Sequence, residues 1–418
     1  MTAIPERRRK ATLISFIAAV VGIATVAGLG YAGIDNLYDS RSGRRVSADE
    51  PDVPVQQLPD TPTALVATAD EEGWLTSVAV LALDPGGTGG SIVSLSPSGD
   101  AASGNIDSLA PLNAVYVVDG PDELLGATEG LTGISFDVAE VVDAERFAAL
   151  TTPIGEMTVE LPTELRDVST GERYDPGVVS MTPDQAAAAI VSRDPSVEDW
   201  LLDPARAAVW AAVADGVGEG IGSVEFPDGT PGRPATLDEF VRRLFAGRVE
   251  HRSFSFKEIA ASRVTAQLGA EYVAAFGDHD DTTISVVAHD RAELLMVLAA
   301  IAPGRMGAPF EGSNVRLLSQ FTADELAPLG QNNADVARQA INRLLFAKVN
   351  VVSFGQVDVA PEVTLIEVAH ASQRDEIEAA YGTLFGISVV EVADELIEGV
   401  DLQITLGRAY LETVEPTS

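Results

Sequence analysis

The densest group of metal-ligand residue types in the sequence lies between residues 277 and 290. Carboxylates and imidazoles follow one another there, in Asp278-His279-Asp280-Asp281 and in His289-Asp290. Such side chains are ligands for Ca²⁺ or Zn²⁺. The spacing does not match an EF-hand loop, however, and the same residues suit a solvated turn between a helix at 261–276 and a strand ending at His289. We predict a turn without a metal, and leave open whether the loop at 278–281 binds one.

Two further histidines offer a general base but no visible partners for nucleophilic catalysis. His251 lies between acidic and basic neighbours, and His370 ends a strand-like run. A hydrolytic triad needs a serine and a carboxylate beside the imidazole, and the sequence identifies neither. Cysteine is absent, which excludes thiol nucleophiles, thiolate zinc sites and disulfides. We therefore predict no hydrolytic triad.

Two other groups have a functional and a structural interpretation. Asp70-Glu71-Glu72 precedes Gly73 and could chelate a cation, but three carboxylates before a glycine are typical of a solvated hairpin turn. Trp200 and Trp210 stand at helix-like spacing and could form a platform for a sugar, although we favour positions in the core. In both cases the structural interpretation is our prediction.

Cationic side chains are scarce where a phosphate site would need them. The 418-residue chain has a net charge of -36, and residues 64–160 hold sixteen acidic residues against the single basic residue Arg146. Such a surface repels phosphate backbones and anionic headgroups, so nucleic acid is excluded as a partner. The glycine-rich segment 216–222 also lacks the Gly-Lys-Ser/Thr ending of a phosphate-binding loop.

A long apolar run near the N-terminus predicts how the chain is placed in the cell. Residues 11–34 are 24 uncharged, mainly apolar residues, enough to cross a hydrocarbon core of about 30 Å as a helix. Basic residues at 7–10 predict a cytoplasmic tail over 1–10. Residues 35–62, with four prolines, follow as a stalk. We predict a single-pass protein of the cell membrane whose bulk is extracytoplasmic. The alternative is a cleaved signal peptide.

From Thr63 onward, short apolar runs alternate with helical patterns, which predicts an α/β fold. Strands are expected at 63–69, 77–84, 91–97, 114–118 and 157–162. Helix starts are expected at Thr182, Asp203 and Thr236, each a residue type that caps a helix. A second pattern has strands at 314–318, 349–354, 363–369, 387–392 and 401–407 and helices at 335–348 and 372–385. Glycine and proline at 302–313 suggest a boundary between the two.

This layout, together with three segments, resembles the LytR-CpsA-Psr (LCP) family of actinobacterial cell-envelope proteins. Residues 112–150 are similar to a family stretch of an Asn-Ala-x-Tyr element, a helix, a Leu-Thr-Gly-Ile turn, a strand and an acidic helix start. Residues 174–195 resemble a family helix that ends in an arginine motif, and residues 399–412 resemble the LytR C-terminal domain. The resemblance implies an LCP-like α/β domain with a mixed sheet over 63–250, a connecting α/β segment over 251–310 and a smaller α/β LytR C-terminal-like domain over 311–418.

Catalytic members of this family look like phosphotransferases that move glycopolymers from polyprenyl pyrophosphate to the cell wall. That chemistry needs arginines on the pyrophosphate and a carboxylate-bound divalent metal. Where the family has Arg-Ser-Asp, this chain has Trp74-Leu75-Thr76, and where it has Ser-x-Pro-Arg-Asp, residues 94–100 keep the proline and one aspartate but no arginine. Arg193 and Arg206 alone fall on family-like arginine positions, so they are our candidate ligand-binding residues.

We hypothesise that the chain is a non-catalytic LCP-like module of cell-wall biogenesis. It would bind an envelope protein or a polyprenyl-linked glycan precursor without transferring it, and it would need no cofactor. The rival hypothesis is a divergent phosphotransferase that uses Mg²⁺ together with Arg193 and Arg206. A third is a protein-binding scaffold that acts through the C-terminal domain.

Overall fold

The computed structural model describes residues 54–101, 109–168, 170–226, 231–260, 264, 286–308 and 312–414. The fold is α/β with mixed sheets, as the sequence predicts. Two compact units make up the chain: a central unit of residues 59–309, and a C-terminal unit whose described residues are 54–58 and 312–414.

The strands, in chain order, are β1 (Val55–Gln56), β2 (Thr63–Ala69), β3 (Leu75–Leu83), β4 (Gly90–Leu95), β5 (Val138–Val142), β6 (Met157–Leu161), β7 (Leu165–Arg166), β8 (Arg173–Tyr174), β9 (Gly177–Met181), β10 (Val249–Ser253), β11 (Phe256–Glu258), β12 (Val287–His289), β13 (Asn314–Leu318), β14 (Asn350–Gly355), β15 (Thr364–Val368), β16 (Ser388–Val392), β17 (Leu396–Ile397) and β18 (Leu402–Thr405). The α-helices are α1 (Leu112–Asp119), α2 (Pro121–Thr132), α3 (Ala144–Thr151), α4 (Pro183–Val191), α5 (Asp203–Val217), α6 (Leu237–Leu244), α7 (Arg291–Ile301), α8 (Ala323–Leu326), α9 (Asn333–Phe346) and α10 (Arg374–Tyr381).

The central unit is built on a five-stranded sheet in the order β10-β4-β3-β2-β5. Strand β3 runs antiparallel to both of its neighbours, whereas β4 pairs in parallel with β10 and β2 pairs in parallel with β5. The carboxyl ends of β2, β4, β5 and β10 therefore meet the amino end of β3 at one edge of the sheet. The loops at this end of the sheet therefore place residues that are far apart in sequence next to one another.

Apolar layers cover both faces of this sheet, which is why β2 and β3 are buried along their whole length. One layer draws on α3, α4, α5 and α6, and the other on α1, α2 and α7. In the first layer Phe147 meets Trp210 edge to face, with ring centroids 5.1 Å apart. A cavity of about 20 Å³ beside this pair is lined by apolar side chains such as Val66, Leu81 and Phe245, and it has room for about one water molecule.

Of the three helix caps predicted from the sequence, two are present in the structure. Thr182 and Gln185 form the expected capping box of α4, and Thr236 accepts from the Glu239 amide at the start of α6. Asp203 was expected to cap its helix, but it is instead the first residue of α5, and its side chain bonds to Ser96 and Arg206.

The prediction of a strand at 114–118 is wrong, because these residues lie within helix α1. Pro111 stands at the N-cap, and Leu112, Ala114 and Val115 are buried while Val117 and Val118 are each 36% exposed. A short apolar run does not distinguish a strand from a buried helix by its periodicity. Packing of the first turn against the sheet outweighs the β-propensity of the valines here.

The C-terminal unit is a second five-stranded sheet, in the order β14-β13-β18-β15-β16. Its strands lie within one or two residues of the predicted bounds. Helix α9 has the predicted length but begins and ends two residues before the predicted stretch 335–348, and α10, with 8 residues, covers only part of the predicted 372–385. At the outer strand β16, the Ile387 carbonyl and the Ala393 amide bond to β15. Along β16, every second residue bonds to β15 and the residues between them face away from it. The Val390 carbonyl therefore lies on the side of β16 that faces away from β15, where it accepts from Nε and Nη2 of Arg374 at 3.1 and 2.8 Å.

Several predictions concern residues outside those described: the apolar run 11–34, the stalk as far as residue 53, most of the helix at 261–276 and the loop at 277–281. Within the described ranges, no helix combines the length and apolar character needed to span a bilayer.

The Phe147–Trp210 contact predicts how sensitive the central core is to truncation. Phe147 is 1% exposed, so Phe147→Ala should lower the free energy of unfolding by about 3 to 5 kcal/mol through lost burial and a residual cavity. Urea unfolding followed by tryptophan fluorescence measures this. The control is Val178→Ala, at a side chain of the same unit that is 72% exposed, which should change stability by no more than about 0.5 kcal/mol. Equal effects of the two substitutions would contradict the assignment of this core.

Candidate functional site

Polar and charged side chains gather at the sheet edge where β2 and β4 end and β3 begins. We call this group the edge cluster. It consists of Asp70, Glu72, Trp74, Ser96, Arg193, Asp199, Asp203 and Arg206. Three of its members are supplied by the β2–β3 hairpin, one by the segment after β4, and the remainder by the stretch from the end of α4 to the second turn of α5.

The hairpin turn between β2 and β3 is formed by the acidic run, as predicted. The Asp70 side chain accepts from the amides of Glu72 and Trp74 at 3.0 and 2.7 Å. Gly73 completes the turn with a φ of +79°, a conformation that glycine adopts without strain. Its two hydrogen bonds make the Asp70 carboxyl a structural part of the turn rather than a free chelating group, and burial raises its pKa above the usual range.

Arg206 is the innermost member of the cluster, with only 1% of its surface exposed. Its Nη2 donates to the Asp199 carboxylate at 2.9 Å and to the Ser192 carbonyl at 3.0 Å. Its Nη1 lies 3.5 Å from Asp203 Oδ1, while its Nε is buried without a partner among the described residues. The positive charge of Arg206 is therefore already matched by two carboxylates of the chain itself.

Asp203 links this arginine to the sheet. Its Oδ2 accepts a hydrogen bond from the Ser96 hydroxyl, and Ser96 is itself only 3% exposed. Burial raises the pKa of Asp203 to about 7, while Arg206 pulls it down and Asp199 pushes it up. The serine and the carboxylate could pass a proton between them, but neither is open to a substrate from solvent.

Arg193 lies nearer the surface, stacked on the hairpin. Its guanidinium stands over the ring of Trp74, 4.2 Å from the centroid. Its Nη1 is 3.4 Å from a Glu72 oxygen and 3.9 Å from an Asp70 oxygen. Trp74 in turn donates from Nε1 to Asp199 at 3.2 Å, which joins the two arginines through one ring and one carboxylate. The structure thus brings both sequence-predicted residues, Arg193 and Arg206, into one cluster.

Acidic side chains outnumber basic ones in the edge cluster. Four carboxylates, Asp70, Glu72, Asp199 and Asp203, stand against two guanidinium groups, and each guanidinium lies within 4.0 Å of two of those carboxylates. A phosphate would have to displace internal partners from both arginines before binding them. Over the described ranges, no group of three or more histidine, aspartate or glutamate side chains is placed to hold a metal.

Two histidines beside the cluster have serine partners that the sequence did not identify. His289 Nε2 accepts from the Ser96 amide at 3.2 Å, and His251 Nε2 lies 2.8 Å from the Ser94 hydroxyl. Burial lowers the pKa of each imidazole to about 4, so both are neutral near pH 7. These contacts join residues 157 and 193 positions apart, which no local motif could have indicated.

The two tryptophans at helix-like spacing occupy different environments. Trp210 is a core residue, 5% exposed, whose Nε1 donates to Ser77 at 3.2 Å. Trp200 is only half-buried and lies beside the edge cluster, in edge-to-face contact with Phe256 at 6.0 Å. The prediction of a core position is confirmed for Trp210 and wrong for Trp200, which lies in the short helical turn Asp199–Leu201, where no residue is fully buried.

No model of a known protein family matches the chain, and no curated protein sequence matches it. Solved structures do show similarity, in 22 chains. TagV of Bacillus subtilis is 16% identical over 58% of this chain and 95% of its own, with a TM-score of 0.39. TagU of the same organism is 12% identical over 56% and 92%, with a TM-score of 0.32. A protein of Enterococcus faecalis described as a transcriptional regulator is 12% identical over 58% and 88%, with a TM-score of 0.38.

With TM-scores below 0.5, these similarities assign neither a family nor a function to this chain. The likeness of residues 399–412 to a LytR C-terminal domain stays a prediction.

The buried Asp203 predicts a pH effect on stability. The pKa of this carboxyl is raised from 3.8 to about 7 in the folded state, so folding favours its protonated form. Its contribution to stability is complete below about pH 4 and is lost as the pH rises through about 7. The unfolding free energy of the wild type minus that of Asp203→Asn should therefore fall between about pH 4 and pH 8, by an amount on the order of 4 kcal/mol.

Denaturant unfolding of both proteins at each pH measures this difference. The wild-type curve alone also contains the titration of His251 and His289, whose pKa values are lowered to about 4. These imidazoles make the unfolding free energy rise with pH between about 4 and 6.5, opposite to Asp203. Subtracting the Asp203→Asn curve removes their contribution and leaves that of Asp203. A difference that is flat or rises with pH would contradict the raised pKa.

Proposed function

We propose that the chain is a membrane-anchored, extracytoplasmic LCP-like module of cell-wall biogenesis that binds its ligand without transferring it. One observation carries the proposal: both arginines at the edge of the central sheet are held by the chain's own carboxylates, Asp199 and Asp203 for Arg206, and Asp70 and Glu72 for Arg193. An arginine engaged in this way is a structural element rather than an open anion site.

The chemistry of phosphoryl transfer explains why this matters. Charge on the transferred group spreads over its outer oxygens, and an arginine-type contact to them is worth about 10³ to 10⁵ in rate. At the position where the resemblance places the first family arginine, this chain has Trp74, which covers Arg193 instead of offering a charge. A pyrophosphate approaching this edge would meet a net negative field.

The interior of the central unit supports the same proposal. A polyprenyl carrier would need a continuous apolar space, and the cavity found in the described part of the unit between the sheet and helices α3, α5 and α6 measures only about 20 Å³. Phe147, Trp210 and Phe245 occupy that layer. A bound lipid chain would have to displace these side chains from a closely packed core, at the cost of their burial.

The rival proposal, a divergent phosphotransferase assisted by Mg²⁺, fits the residues less well. Mg²⁺ needs carboxylates free to coordinate it in octahedral geometry. Asp199 and Asp203 are the carboxylates nearest the arginines, and both already bond to Arg206. The donor set therefore does not fit the metal, and no catalytic step through it follows from this geometry.

A role in transcription, as in the description of the Enterococcus faecalis protein, is disfavoured by charge. DNA binding is driven largely by basic side chains that release counterions from phosphates. This chain carries a net charge of -36.

Catalytic inactivity is directly testable. With Mg²⁺ or Mn²⁺ present, the purified protein should show no transfer or pyrophosphatase activity on polyprenyl-linked substrates, because its arginines are neutralised internally. Arg193→Ala and Arg206→Ala are assayed beside the wild type, with Arg173→Ala as a matched control at an arginine whose side chain is 61% exposed. Circular dichroism checks folding, since removing Arg206 leaves buried carboxylates unpaired.

Turnover that survives Arg173→Ala but is lost in a folded Arg193→Ala or Arg206→Ala protein would establish a rearranged active site. The rival proposal would then replace ours.

The membrane anchor generates a separate prediction. A reporter enzyme fused after residue 62 should be active only outside the cytoplasm, and the protein should remain with membranes after a carbonate wash, because residues 11–34 are long and apolar enough to span the bilayer. A version with two arginines inserted in the run serves as the control and should lose membrane retention. Release of the unaltered protein into the soluble fraction would indicate a cleaved signal peptide instead.

A further inference from the structure

Strand β9 of the central unit has an open edge. It pairs with β6 on one side only, in a two-stranded antiparallel sheet. The peptide groups that face away from β6 have no hydrogen-bond partner among the residues that the structure describes. The strand is also accessible from solvent, since Val178 is 72% exposed and Gly177 and Ser180 are exposed as well. Strand β9 can therefore accept a further strand along this edge.

The four outer strands of the two five-stranded sheets are protected, in contrast to β9. Proteins usually cover such edges or place charged side chains on them. Strand β5 carries Glu140, β10 carries Glu250 and Arg252, and at β16 Arg374 occupies a backbone acceptor. The first four residues of β14 are buried. Strand β9 is uncharged, contains no proline, and keeps a continuous register with β6, so nothing along the strand opposes the addition of another one.

Acidic side chains surround this open edge. Residues 156–184 hold seven acidic residues against two basic ones, Arg166 and Arg173. Of these two, Arg173 is already paired, at 2.9 Å with Glu164 and at 3.0 Å with Asp175. The surface next to β9 therefore attracts cations and repels anions.

The positions of these carboxylates define the strand that would fit. Residues opposite each other in an antiparallel ladder share a face, so Val178 lies on the same face as Glu160, and both are exposed. Asp175 precedes the strand, Asp184 follows it, and both side chains are exposed. A complementary strand would place an apolar side chain beside Val178 and lysine or arginine near both of its ends.

We propose that β9 binds an extended segment of a partner protein, with an apolar centre and basic ends, which adds to the sheet as a third strand. A polypeptide backbone presents donors and acceptors at the spacing of the open edge and supplies affinity, while the carboxylates select basic sequences. A second copy of this chain fits poorly, because joining two β9 strands would bring two acidic surfaces together in molecules with a net charge of -36 each. The proposal goes beyond the proposed function, since β9 shares no residue with the edge cluster.

A labelled peptide tests this binding on the full 418-residue chain. The peptide alternates valine and threonine and has lysines at both ends. Fluorescence anisotropy should show saturable binding that weakens as salt is added, because the charges are screened. Hydrogen exchange should slow at the amides of residues 177–181 when the peptide is bound, because the outward-facing amides gain an acceptor.

Two control peptides separate backbone pairing from attraction between charges. One has glutamates in place of the lysines and should be repelled by the acidic surface. The other keeps the lysines but has every backbone amide methylated, so it cannot donate to β9. Each should bind at least about tenfold more weakly than the lysine peptide.

Variants of the protein locate the site. Val178→Lys places a cation beside the open edge and should weaken binding of the lysine peptide by about tenfold or more. The matched control Val359→Lys makes the same substitution in the C-terminal unit, at a side chain that is 70% exposed, and should leave binding unchanged. Glu160→Gln removes one carboxylate with little change in shape and should weaken binding and its salt dependence. Melting curves verify folding, and Glu160→Gln keeps the test valid if Val178→Lys does not fold.

Several outcomes would overturn the proposal: no saturation up to about 1 mM lysine peptide, equal binding of the methylated peptide, or protection only outside residues 177–181. A dimer formed by the chain alone, with the amides of 177–181 protected, would also overturn it, because a second copy would then be the occupant. Binding that Val178→Lys and Glu160→Gln both leave intact would exclude β9 as the site.

Discussion

The buried ion pairs of Arg206 hold the edge of the central sheet in place. This guanidinium joins the Ser192 carbonyl at the end of α4, Asp199 in the turn before α5 and Asp203 at the start of α5. Asp203 then connects to Ser96 beyond β4. A buried charge without partners costs several kcal/mol, so each of these segments is constrained to remain where it can pair with the others. The position of Trp74 follows from the same set, since its indole donates to Asp199.

This constraint also determines what chemistry the edge can perform. A guanidinium that organises the protein interior cannot at the same time be an open cradle for an anion, because moving it would leave Asp199 and Asp203 without their partner. The net charge of -36 on the whole chain also repels anions, and it does so over longer distances.

The sequence predicted the fold better than the site. Strands such as β2 and β13 were placed to the residue because an apolar run bounded by turn residues is a local signal. Helix α1 was predicted as a strand because its short apolar run carries no decisive periodicity. The site depends on pairs far apart in sequence, such as Ser96 with Asp203 and Trp74 with Asp199, separated by 107 and 125 positions. Arg193 and Arg206 were found by resemblance, but their internal partners could only be seen once the chain was folded.

The outer strand β16 of the C-terminal unit has a consequence for how copies of the protein coexist. An unpaired strand edge is a template on which a neighbouring chain can add its own strand. Molecules tethered to one membrane would meet at high effective concentration, which makes such joining more frequent. Arg374 occupies the Val390 carbonyl with two donors, so the central acceptor of that edge is already taken. In the proposed membrane-anchored protein, this one charged side chain would oppose strand addition between neighbouring copies.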